Sequence, residues 1–105
     1  MKRYRVIVAP IVLEQIRDQM LYIAQDSINN ALAWEDRLRA EMKSIGGLGS
    51  GHVIDEVASK SMGVTVHKLV FERTYLIHYV VQEKERVIEI INFRHGARLP
   101  RRGEH

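Results

Sequence analysis

Cysteine is absent from these 105 residues, which excludes disulfides and thiolate metal ligands and fits a reducing compartment. No apolar run approaches the ~18 residues that a membrane-crossing helix requires. No charged-then-apolar leader with a small-residue cleavage site opens the chain. The expectation is a cytoplasmic protein of bacterial type. Internal repeats, low-complexity tracts and linkers long enough to split domains are also missing, so residues 1–105 are expected to form one domain. No His-x-x-x-His pair and no carboxylate at ligand spacing accompanies the histidines, so no metal and no cofactor is expected.

What is present is ordinary for a soluble globular chain: 46% hydrophobic and 28% charged residues. The net charge of +3 is informative through its placement. Arg94, Arg98, Arg101 and Arg102 make a basic tail over residues 94–105, opposed only by Glu104, and Lys2, Arg3 and Arg5 make the start basic too. A basic end on a small domain suits an acidic partner, nucleic acid or protein; a solvated, solubilising end is the plainer alternative.

Tyr4 to Val8 alternates weakly and stops before Pro10, which reads as a first strand. Pro10 can open a helix, because its missing N–H has no partner in a first turn anyway. From Ile11 to Gln25 the residues Leu13, Ile16, Met20 and Ile23 recur at helical steps. Ser27 is a suitable N-cap for a second helix whose stripe is Ala31, Trp34, Leu38, Met42 and Ile45. So short a break makes the two helices an antiparallel hairpin, with Trp34, Met20 and Met42 as core. The glycine-rich stretch Gly46 to Gly51 follows a helix and lacks the Gly-Lys-Ser/Thr ending of a phosphate loop, so it reads as a helix stop. His52 to Gly63 is open between a helical turn and irregular chain.

The last third organises the rest. Val64 to Phe71 reads as a strand with Val66, Lys68 and Val70 on one face. Tyr75–Val81 and Arg86–Phe93 are rich in β-branched and aromatic residues and are joined by the polar tetrad Gln82-Glu83-Lys84-Glu85, a hairpin connection. The expected class is α+β in the order β-α-α-β-β-β, a helical hairpin packed on a small, mainly antiparallel sheet.

That order, the strand Tyr75-Leu76-Ile77-His78-Tyr79 and the closing Val87-Ile88-Glu89-Ile90-Ile91-Asn92-Phe93-Arg94-His95-Gly96-Ala97-Arg98 resemble the RelE/ParE superfamily over residues 4 to 98. These are the small toxins of bacterial type II toxin–antitoxin, or plasmid stabilisation, pairs. The strand followed by His95-Gly96-Ala97-Arg98 is most similar to the ParE branch. The resemblance implies a toxin that inhibits DNA gyrase and is neutralised by direct binding of a cognate antitoxin, whose acidic C-terminal arm lies across it. The RelE branch implies a different target, the ribosome and its mRNA, cut without a metal by basic side chains and often a C-terminal tyrosine. This chain departs from that pattern. It has Leu76 where an arginine is usual, and no tyrosine follows Tyr79.

Metal-free cleavage by 2′-hydroxyl attack needs a base, an acid and cations around the phosphorane. His95, Arg94, Arg98 and Arg73 are the candidates if the chain is a nuclease, and His78 is a further histidine on that strand. Alternation places Arg73, Tyr75, Ile77 and Tyr79 on the face opposite His78, so these groups need not converge. For partner binding the candidates are Arg94, Arg98, Arg101 and Arg102 of the tail, with Tyr75 and Tyr79. A third reading is a non-toxic module that still binds the antitoxin.

Overall fold

The structure is a computed structural model that describes residues 3–47 and 53–96. β1 (Arg5–Val8) leads into α1 (Pro10–Ala24) and α2 (Ile28–Ile45), followed by α3 (Glu56–Met62), β2 (His67–Phe71), β3 (Tyr75–Gln82) and β4 (Val87–His95). The strands form one sheet in the order β1-β4-β3-β2. β2–β3 and β3–β4 are antiparallel, whereas β1 runs parallel to β4. The described residues thus form an α+β fold with three helices and a mixed four-stranded sheet.

Local chemistry accounts for the element ends. Pro10 occupies the first turn of α1, where no N–H is needed. Ser27 caps α2 by accepting the Asn30 N–H on its hydroxyl at 3.1 Å. α1 packs against α2 and across β4, so one sheet face carries the hairpin. Val12, Ile16, Trp34, Leu38 and Ile45 from the helices meet Phe71, Ile77, Tyr79, Ile88, Ile90 and Phe93 from the sheet. Trp34 stands edge-on to Phe71, Tyr75 and Phe93, with ring centroids 5.4–6.4 Å apart.

Two expectations need correction, and one open segment is resolved. The α1 stripe differs at its first position: Val12 is fully buried and Leu13 is 57% exposed, whereas Ile16, Met20 and Ile23 pack on the core as the spacing predicts. α1 starts immediately after β1, so the strand sets which residue of the first turn faces inward. A third helix, α3, fills the segment that was open in the sequence. Asp55 caps it by accepting the Ala58 N–H at 3.0 Å, and Gly63 stops it in the left-handed region at φ 76°. β2 also begins at His67, three residues later than Val64; before it, Asp55 N–H bonds Val66 O and Ile54 bridges His67.

The β3–β4 ladder contains a bulge. His78 opposes Asn92 and Tyr79 opposes Ile90, so Ile91 has no counterpart. This extra residue explains how Ile88, Ile90 and Phe93 share the core face although their numbers differ in parity. It also sets Asn92 beside His78 on the face away from the hairpin.

Candidate functional site

Two surfaces combine exposed apolar groups with unpaired backbone or charge. The first borders β1, the outermost strand on its side of the sheet. Arg5 and Ala9 give their N–H groups to Arg86 O and Ile90 O, so strand alternation turns those of Val6 and Val8 outward. Tyr4 N–H is taken by Gly46 O at 2.9 Å, where the end of α2 touches β1. A Cβ on Gly46 would lie 2.7 Å from Tyr4 O, so only glycine allows this approach.

Between the β1 edge and α2 lies a cleft of about 340 Å³ lined by Tyr4, Val6, Val8 and Met42, with Arg3, Arg39 and Lys43 around it. A smaller cavity of about 180 Å³ shares Val8, Arg39 and Met42 with it and extends past Leu13, Ile16 and Leu38. Arg39 pairs with Glu35 at 2.6 Å, and Arg3 donates to Lys43 O at 3.0 Å. An unpaired strand edge above an apolar floor can hold an extended segment through main-chain bonds, with alternate side chains in the groove.

The second surface is the opposite sheet face, where Met62, Val66, Ile91 and Arg94 surround a groove of about 340 Å³ floored by His78 and Asn92. His78 is 6% exposed. Its Nε2 lies 2.8 Å from Asp55 Oδ2 and its Nδ1 3.1 Å from Asn92 Nδ2. The Ala58 N–H, followed by the bond from His78, holds the Asp55 carboxyl below its ordinary pKa, and the positive charge of Lys68 adds to this.

The nuclease candidates among the described residues do not assemble here. Arg94 pairs across the ladder with Leu76 and borders this groove. His95 points the other way: its ring is 5.2 Å from that of Tyr75, and its Nδ1 is buried without a hydrogen-bond partner. Arg73 sits in the β2–β3 turn, exposed, with φ 60° after Glu72 at φ 53°. Tyr75 and Tyr79 are 8% and 0% exposed. They are core residues and present no ring to a partner, because β3 lies under both helices. Arg98, Arg101 and Arg102 lie outside the described residues.

Sequence reasoning missed Asp55, Asn92 and Gln15, and it missed the β1 cleft. An aspartate three residues before Ala58 was a legible cap signal. The adjacent Ile90-Ile91 pair, which breaks alternation, was a legible bulge signal. The long-range pairing of Asn92 with His78 and Gln15 had no local signature. No helix among the described residues is long and apolar enough to cross a membrane. No protein-family model and no curated protein matches the chain.

Proposed function

We propose that the chain is the toxin of a type II toxin–antitoxin pair in the RelE/ParE superfamily, nearest the ParE branch, and that it acts by binding DNA gyrase. What supports this reading is the element order together with the His95-Gly96-Ala97-Arg98 ending that leaves the sheet's inner strand β4. The observation that weighs against the ribonuclease alternative is the division of its candidates. Arg94 and His95 project to opposite faces, Leu76 opposes Arg94, and both ring nitrogens of His78 have partners. The protein performs no covalent step in this reading; it binds.

The neutralising antitoxin segment lies along β1 in this reading. The apolar floor supplies affinity, and Arg3, Arg39 and Lys43 steer an acidic chain into register.

Pulse labelling of DNA and protein synthesis in cells, within minutes of inducing this chain alone, tests the target. DNA synthesis is expected to fall first. An earlier fall in protein synthesis would replace gyrase with the ribosome, and no fall in either would leave a non-toxic antitoxin-binding module.

A further inference from the structure

A continuous hydrogen-bond chain passes around the β4 edge from one side of the sheet to the other. Phe93 N–H donates to Gln15 Oε1 at 3.0 Å, and Gln15 Nε2 donates to Asn92 Oδ1 at 3.3 Å. Asn92 Nδ2 meets His78 Nδ1 at 3.1 Å, and His78 Nε2 meets Asp55 Oδ2 at 2.8 Å. The other oxygen of Asp55 accepts the Ala58 N–H. The path is open because β1 pairs with β4 only as far as Ile90, which leaves the next turn of α1 to cover Asn92 and Phe93.

Both ends of this chain have fixed polarity. A backbone N–H can only donate, so Gln15 must present its oxygen to Phe93 and its NH2 to Asn92. Asn92 must then turn its oxygen to Gln15 and its NH2 to His78. At the far end an ionised carboxylate can only accept. His78 is therefore required to be the neutral Nε2–H tautomer, with Nδ1 as acceptor. No amide in the chain can reverse without setting a donor against a donor.

We propose that this chain is a proton-operated coupling between the two faces: a proton on His78 Nδ1 reverses Asn92 and releases Gln15, so that α1 responds to an event in the groove beneath α3. The new Nδ1–H needs an acceptor, which Asn92 supplies by turning its oxygen inward. Its NH2 then faces the Gln15 NH2, and that bond is lost because Gln15 is held by Phe93. The Asp55 contact persists and becomes an ion pair, so α3 stays while the α1 clasp loosens. The charged groups facing the ring are Asp55 ahead of α3, Lys68 as its register partner on β2, and Arg94 on β4. This inference is independent of the proposed target.

The test is 15N NMR of the full chain through a pH titration. At neutral pH the His78 ring is expected to give an acceptor-type Nδ1 and a protonated Nε2. On acidification the Gln15 side-chain amide and the Phe93 backbone amide are expected to move with the His78 midpoint. Gln15→Glu keeps the acceptor for Phe93 but cannot donate to Asn92, so it should reverse Asn92 and turn its oxygen to His78 Nδ1, which then carries a proton. In Asn92→Leu that effect of Gln15→Glu should vanish. An Nδ1–H tautomer in the unmodified protein would overturn the proposal, and this reading needs no variant to fold. So would a His78 titration that Gln15 and Phe93 do not follow. Persistence of the Gln15→Glu effect in Asn92→Leu would assign it to long-range charge and overturn the chain.

Discussion

At Asp55 one carboxyl oxygen starts α3 and the other holds His78. Its folded pKa is lowered, so its contribution is complete above the unfolded value near ~4 and is lost as pH falls through the depressed folded value. Asp55→Asn should therefore lower the unfolding free energy at pH 7 by about 1–3 kcal/mol, read from chemical denaturation. That gap from the unmodified protein should narrow as pH falls below about 4. Strain sits at a different residue. Glu72 and Arg73 both have positive φ, and Thr74 N–H bonds Phe71 O, so the three-residue connection between Phe71 and Tyr75 makes a left-handed turn without asparagine or glycine. Arg73→Gly should stabilise the protein by roughly 0.5–1 kcal/mol in chemical denaturation. If Arg73 contacts gyrase or RNA, the same variant loses potency while gaining stability, which separates a functional side chain from a merely tolerated one.

Among elements, β4 and α3 differ most in how firmly they are held. β4 pairs on both sides, whereas α3 buries none of its residues and depends on its Asp55 cap and on the Ser59 hydroxyl that accepts the Val66 N–H at 2.8 Å. Hydrogen exchange should show α3 amides opening well before those of β3 and β4. Equal protection would mean that α3 unfolds only with the whole domain. The bulge in β4 makes a further contrast. Deleting Ile91 leaves Ile88, Ile90 and Phe93 in alternating order, so the shortened chain should still unfold cooperatively. Deleting Glu89 sets Ile88 and Ile90 on opposite faces and should abolish cooperative unfolding.

For the whole molecule, one sheet face is closed by the helical hairpin and the other is partly covered by α3. The β1 edge remains unpaired beside a cleft with an apolar floor and Arg3, Arg39 and Lys43 around it, where the proposed antitoxin segment would dock. Charge reversal at Arg39 and Lys43 should weaken an acidic partner mainly through its association rate, and more at low salt than at high salt. Met42→Glu should weaken it at every salt concentration, because it places a charge in the apolar floor. Equal affinity for both variants in titration calorimetry would remove the β1 edge as the docking line.

The sequence by itself determined the element types wherever the signal was local. Pro10 and Ser27 mark helix starts, the Trp34–Leu38–Ile45 stripe marks the buried face of α2, and the Gln82–Glu85 tetrad marks a hairpin. It did not determine how those elements turn and meet. Whether Val12 or Leu13 is buried depends on where β1 aims the first turn of α1. The left-handed pair Glu72-Arg73 is imposed by the strands it joins, against the preference of both residues. Tyr75 and Tyr79 became core instead of contact surface because the hairpin covers their side of β3. Only tertiary structure could join Gln15, Asn92, His78 and Asp55, which are distant in sequence. Their polarity is set by a backbone N–H on one element and a carboxylate on another, and no local pattern records that relation.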